Sequence, residues 1–573
     1  MSLNRTEVPM YEMVELTFQH AGHYENRHRD VNIEAAFTSP SGRIVRVGGF
    51  HYGSDVPPRI ERTVVKDARG RERAQVNYIL DREDIWKVRF APAELGEWRF
   101  NYVFRDVAGG QATGDGTFRC VPAPQGVHGF VRQDPDNPFQ WICDDGTPFF
   151  PIGMQDGVSD YLGLGTLLGV SWFMDGPFRE PRPPGALPLP SGPEFRTGRA
   201  SPVSAEQYFS AFAGAGFNTW RFSNGTGGYM ALFNVLDHPD TYRCKMLDDF
   251  FVCLRQKGFR IFFTIFGDLN KAMFRTKPEN LEDIAKVKRF IEYCVWRWGP
   301  LVDFWELLNE QYPDDEWLCL MSAHLKAVDP YRYPVSTSYE KPELAGIDIN
   351  SPHWYSQDEN ELESDIMTVE RCMEWRRFGK PVILGEQGND RGRQRHRDIP
   401  RPGMGGNWDP RSAVRMRLRL WTAFCHEVAF IFWHTGYAKD GHHSNIWLGP
   451  EERQYVRAFA QAVRALGGGI TKTRPLADRQ VSVTDYAHVR GYQIFTRDGG
   501  LAYLHHFSDH TTPVKDCRLI FNVPRAGKGY WYAPEDGRAL AVVELAQGKQ
   551  TLVVPEFTID IALLVNPATP PVP

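Results

Sequence analysis

Several absences narrow the function of this 573-residue chain before any motif is considered. No apolar run approaches the roughly 18 residues of a membrane span. The longest, such as Val428-Ala-Phe-Ile-Phe-Trp433, have the length of a strand. There is no excess of basic charge: the net charge is −5 and the pI about 6.4, so neither nucleic acid nor an anionic membrane is an expected partner. None of the nine cysteines has C-x-x-C spacing, and their number is odd. Several sit in apolar patterns, such as Cys294 within Ile291-Glu-Tyr-Cys-Val-Trp296. Buried thiols in a reducing compartment are expected, rather than a disulfide framework or a zinc site, although one buried bridge remains compatible with the count. His442-His443 and His505-His506 lack a carboxylate or cysteine at ligand spacing, so no metal is expected. Glycine-rich phosphate loops are missing at strand ends, as is a G-x-S-x-G elbow. The N-terminus, Met1 to Pro9, has no apolar h-region, which predicts a cytoplasmic protein, with secretion the alternative if a signal peptide preceded it.

What is present is ordinary globular composition, 42% hydrophobic and 24% charged, which excludes a largely disordered chain. Aromatic residues reach 13%, a level that favours large cores, some flat surface on which sugar rings stack, or both. The length predicts three or four domains.

The hydrophobic period divides the chain in three. Residues 1–125 alternate with period two, as in Val14, Leu16 and Phe18, in Trp86, Val88 and Phe90, and in Trp98, Phe100 and Tyr102, with turn signals between. That pattern predicts a β-sandwich. Across residues 126–468 the period switches repeatedly between strand and helix. Met246, Phe250, Phe251 and Leu254 share one helical face; Leu281, Ile284, Val287, Ile291, Cys294 and Trp298 share another. Eight candidate strands follow: Phe149–Met154, Thr219–Phe222, Arg260–Phe266, Val302–Leu308, Pro334–Ser338, Ile347–Tyr355, Val382–Gly385 and Val428–Trp433. Eight βα units favour a (β/α)8 TIM barrel over an open sheet. Residues 469–573 return to period two, predicting a second all-β sandwich. The proline-rich segment 175–203 reads as a long loop on the catalytic face or as a surface insertion.

Two strand ends carry the chemistry. The fourth strand ends Leu307-Leu308-Asn309-Glu310, and the seventh reads Val382-Ile-Leu-Gly-Glu-Gln-Gly388, placing Glu386 at the same level. A carboxyl just past an apolar strand is often only a loop start. Two of them, three βα units apart at one barrel mouth, supply what glycoside hydrolysis needs: one to protonate the departing oxygen, one to attack the oxocarbenium-like centre. Glu306 shares the inward phase of Glu310 and reads as a buried partner in a charge network. Asp268 closes the third strand and is placed either to touch substrate or to serve its loop. The basic run Arg391 to Arg397 reads as an acidic-sugar or phosphate contact, or as a solvated loop.

Asn309-Glu310 and Gly385-Glu386 resemble the strand-four and strand-seven motifs of the clan A glycoside hydrolases. His353-Trp-Tyr355, Asn218-Thr-Trp-Arg221 and Phe432-Trp433 bring the resemblance closer to the family-five group, over roughly residues 145–465. The flanks resemble a domain of unknown function found before such barrels and a collagen-binding-type β-sandwich after them. The resemblance implies Glu310 as general acid/base, Glu386 as nucleophile and Asn309 as a hydrogen-bond partner of the sugar 2-hydroxyl. It also implies that Arg221 and Tyr355 keep Glu386 ionised, that His353 lines the subsite, and that Trp433 floors it. Gln311 departs from the pattern, which often has proline there. The expectation is a retaining glycoside hydrolase cleaving β-linked oligo- or polysaccharides without a cofactor. A transglycosidase using the same glutamates and a non-catalytic carbohydrate-binding protein are the alternatives. Sugar identity and oligomeric state are not encoded legibly.

Overall fold

The computed structural model describes residues 1–571 except 67–69, 71, 157–170, 176–199, 204, 226–231, 268–272, 339, 357–359, 390–411, 435–445, 447, 472–480 and 485. Its N-terminal region is built from two sheets. One orders strands Ser2–Leu3, Val14–Gln19, Ile85–Phe90 and Phe50–Gly53; the other orders Glu7–Pro9, Gln111–Val121, Gly96–Asp106, Val31–Thr38 and Ile44–Gly48. Val14, Leu16 and Phe18 point inward while the residues between them do not, as the alternation requires. Phe37 stacks on Phe90 at 4.3 Å between the two sheets. Strand Ile85–Phe90 is buried along its whole length because its second face meets the barrel. There Arg89 bridges Glu15 (2.8 Å) and Asp248 (2.9 Å), and Asp248 also holds Arg297 (2.7 Å). Burial works against the Asp248 carboxylate, but the two guanidinium groups outweigh it and hold its pKa at about 2.

The centre is an eight-stranded parallel barrel: β1 (Ile152–Asp156), β2 (Thr219–Ser223), β3 (Arg260–Phe266), β4 (Phe304–Leu308), β5 (Val335–Ser336), β6 (His353–Ser356), β7 (Val382–Asn389) and β8 (Val428–His434). The hydrogen-bonded order is β5-β4-β3-β2-β1-β8-β7-β6. The ring closes between β5 and the approach to β6, where the amides of Asp348 and Ile349 donate to the Val335 carbonyl at 2.7 and 3.2 Å. The multidomain fold, a TIM barrel between antiparallel sheets, is the one the periodicity predicts. Seven α-helices are seen among the described residues: α1 (Ala205–Gly214), α2 (Thr241–Gln256), α3 (Leu281–Trp298), α4 (Asp315–Val328), α5 (Ser364–Arg376), α6 (Ser412–Cys425) and α7 (Pro450–Leu466). Strands β5 and β6 are joined by turns rather than by a helix, so that unit is shorter than a full βα repeat.

Helix α3 shows why the periodic reading works and where it overreaches. Asn280 caps it by accepting from the Asp283 amide, and Ile284, Val287, Ile291, Cys294 and Trp298 are buried. Leu281 is 75% exposed, because the first turn projects past the core it would have joined. The aromatics serve mainly cores: Trp86, Trp98, Trp220, Trp298, Trp305, Trp317, Trp421 and Trp531 are all fully buried. The nine cysteines stand as thiols, seven of them buried.

The C-terminal region again has two sheets. Strands Ser482–Thr484, Arg518–Val523 and Gly548–Val553 form one; Val489–Phe495, Gly500–His506, Asp560–Val565, Gly527–Tyr532 and Ala539–Leu545 form the other. Trp421 of α6 stacks on Tyr503 at 5.5 Å, and Arg417 pairs with Asp560 at 3.0 Å. His505 lies in this interface, 3.0 Å from the buried Asp365 of α5, which Arg490 also holds at 2.6 Å. The segment 175–203 enters and leaves through the paired strands Ser171–Asp175 and Ala200–Val203; its residues 176–199 lie outside the described residues.

Candidate active site

Inward-facing side chains at the C-terminal ends of the strands meet around Glu386. Its side chain is fully buried on β7. Arg221 of β2 donates to Oε1 at 2.8 Å and Gln155 of β1 donates to the same oxygen at 2.9 Å. The Tyr355 hydroxyl of β6 donates to Oε2, and His353 Nδ1 lies 3.3 Å from that oxygen. Gly385 is small for a reason: a Cβ there would stand 2.7 Å from Ser351 Oγ and 3.0 Å from the His353 ring. Burial raises the Glu386 pKa; His353 and Arg221 oppose that rise, Glu310 adds to it, and the Tyr355 hydroxyl opposes it.

Glu310 sits across the mouth, just beyond β4, with 42% of its side chain exposed. Its φ of +44° bends the chain out of strand conformation, a left-handed turn that a non-glycine residue rarely adopts. The Ser338 hydroxyl accepts from its amide at 3.1 Å. Gln311 explains the departure from proline: its buried amide donates to the Gly267 carbonyl at 3.1 Å, tying this turn to the end of β3. His353 Nδ1 is 2.9 Å from Glu310 Oε1, so the histidine stands between the two carboxylates. One oxygen of each glutamate and one nitrogen of His353 lie within 4.8 Å of one another. Among the described residues this trio is the one grouping spaced for a metal ion, yet both Glu386 oxygens already take hydrogen bonds from protein donors.

Arg221 joins the base of the site. Besides Glu386 it donates to Asn309 Oδ1 (2.7 Å), to Gln155 Oε1 (2.7 Å) and to Glu306 Oε2 (3.0 and 2.5 Å). Burial works against its charge, but Glu306 and Glu386 outweigh burial and raise its pKa. With Oδ1 engaged by Arg221, the amide nitrogen is the donor end of Asn309. Trp433 of β8 is partly exposed, and its ring centroid lies 6.4 Å from that of Tyr355.

The structure thus brings together Glu310, Glu386, Asn309, Arg221, His353, Tyr355 and Trp433. Asp268 lies outside the described residues, as do His442-His443 and the basic run 391–397. Sequence reasoning missed Gln155. It ends the apolar run Phe149–Met154 just as Glu310 follows that of β4, so the strand-end criterion applied to amides would have found it.

A family model described as a domain of unknown function (DUF5060) matches residues 7–105. No curated protein matches the sequence. Among solved structures, a candidate glycoside hydrolase from Bacteroides vulgatus is similar over 98% of this chain and 100% of its own, with a TM-score of 0.62 and 15% identity. That likeness is one of fold, and it extends across all three regions. A family 5 glycoside hydrolase from the same organism covers 77% of this chain and 93% of its own, at 13% identity and a TM-score of 0.49. A family 39 glycoside hydrolase from Bacteroides cellulosilyticus covers 98% and 99%, at 11% identity and 0.40.

Proposed function

We propose that the chain is a retaining β-glycosidase acting on an oligo- or polysaccharide. One observation carries the reading: two carboxylates at the ends of β4 and β7 approach within 4.8 Å, one buried and anchored, the other half-exposed. Retaining enzymes hold their carboxyl groups about 5–5.5 Å apart, whereas inverting enzymes leave about 6.5–9.5 Å for a water. The short separation favours direct attack by a carboxylate.

In the first step an oxygen of Glu386 bonds to the anomeric carbon as the glycosidic C–O bond breaks. Glu310 transfers its proton to the departing oxygen. In the second step Glu310, now a carboxylate, takes a proton from water, which attacks the anomeric carbon and releases Glu386. Asn309 offers its amide to a sugar hydroxyl, and Trp433 gives the sugar a flat apolar face. His353 touches both carboxylates, so it holds them in register through the proton's departure and return.

The test is a panel of activated 2-deoxy-2-fluoro β-glycosides with intact-mass and peptide mapping. A single adduct on the peptide holding Glu386, together with hydrolysis of the parent glycoside, is expected. An active enzyme that is never labelled there would refute the assignment.

A further inference from the structure

Glu306 is a buried carboxylate on β4, three residues before Asn309, fully shielded from solvent. Its Oε2 takes both Nε and Nη2 of Arg221 and the Thr264 hydroxyl of β3. Its Oε1 is buried and has no hydrogen-bond partner among the described residues. A carboxylate with one orphaned oxygen is a poor way to stabilise a barrel, since a buried charge is desolvated and only half satisfied. Its position is informative: it contacts the same guanidinium that holds Glu386. One positive charge therefore serves two buried carboxylates.

We propose that Glu306 is a positioning residue that clamps Arg221 and withholds part of its charge from Glu386, keeping Glu386 less readily ionised and a stronger nucleophile than a private arginine would. This rests on the glycosidase reading for the word nucleophile, but the electrostatic coupling does not. The groups facing Glu386 are Gln155 on β1, Arg221 on β2, Glu310 beyond β4, and His353 and Tyr355 on β6. Those facing Glu306 are Arg221, Thr264 and, at the matching register of β5, Ser336. Arg221 touches both carboxylates, so the coupling runs through it.

The experiment uses the full chain with the Glu306→Gln and Glu306→Ala substitutions. Glutamine keeps the volume and an oxygen for Arg221; alanine keeps neither. Glutamate carboxyl carbons are labelled with carbon-13, and the Glu386 resonance is identified as the one lost on Glu386→Gln. Both variants should titrate Glu386 about one pH unit lower than the parent, because a like charge has been removed and Arg221 is left with a single carboxylate. The acid limb of kcat/KM should move by the same amount in the same direction. A Glu386 titration that stays in place or moves upward would overturn the proposal. So would variants that only lose stability, or that fail to fold at all, since either result makes Glu306 a structural residue alone. A downward titration in a protein that hydrolyses none of the glycosides would sink the glycosidase reading and leave the coupling standing.

Discussion

Replacing Tyr355 by phenylalanine tests the site at its most exposed assumption, that Glu386 works as an anion. The change removes one hydroxyl from Oε2 and leaves the ring in place. Oε1 keeps Arg221 and Gln155, whereas Oε2 retains His353 Nδ1 at 3.3 Å. A hydrogen bond to a charged acceptor is worth about 1.5–3 kcal/mol. Glu386 is wholly buried, so water cannot replace the lost donor. At 1.36 kcal/mol per pKa unit the loss converts to about one to two units. The sign follows from which form is stabilised: the hydroxyl favours the carboxylate, so its removal raises a pKa that burial has already raised. Tyr355 itself stays protonated throughout, because burial and then Glu386 push its own pKa well above the usual range. The assay is kcat/KM against pH on a 2,4-dinitrophenyl β-glycoside, whose leaving group departs without a proton. Glu310 then drops out of the first step, and the acid limb reports the ionisation of Glu386 within the coupled pair. The limb should move to higher pH by about one to two units. A limb that stays put, or moves down, would refute the role given to Tyr355.

Glu310→Ala should lose about 10²–10⁴ in kcat on a substrate with a poor leaving group and far less in kcat/KM on the dinitrophenyl glycoside, with azide restoring turnover and yielding a β-glycosyl azide detectable by mass spectrometry. Asp248→Asn leaves Arg297 buried without its carboxylate and Arg89 with Glu15 alone, and should cost about 3–5 kcal/mol in urea unfolding. His51 is buried at the join between sandwich and barrel, and burial holds its pKa at about 3 against an ordinary 6.5. The folded state therefore refuses a proton that the unfolded state accepts below pH 6.5, and stability falls as pH drops through that value, by about 2 kcal/mol at pH 5 from this group. His51→Gln should flatten that dependence, and an unchanged slope between pH 7 and 5 would refute the assignment.

The barrel was legible because its strands are buried on both faces. Arg260–Phe266 reads as a continuous apolar run, and the observed strand has the same bounds. The shortened unit between β5 and β6 was not legible, since Pro334–Ser338 and Ile347–Tyr355 leave room for a turn or a helix alike. The strand between the sandwich and the barrel was legible only in half. Trp86, Val88 and Phe90 announce an inward face, but Arg89 on the other looks like a solvent residue until Asp248 is brought to it from 159 positions away. Charged residues that bind two domains together carry no local signature, because their partners are set by tertiary contact.

The same distinction runs through the site. Glu310 and Glu386 could be picked out because two carboxyls, each closing an apolar strand and three βα units apart, fall at one barrel mouth. The period of two also points Glu306 inward, but it says nothing of which cation would meet it. That depends on Arg221 reaching from β2 across the barrel axis to β4 and β7 at once. A strand-end carboxylate can thus be read as a candidate reactant from its neighbours in sequence, whereas its proton affinity is a property of the ring of strands. With two buried glutamates sharing one arginine, any change to one of the three is expected to register at the other two.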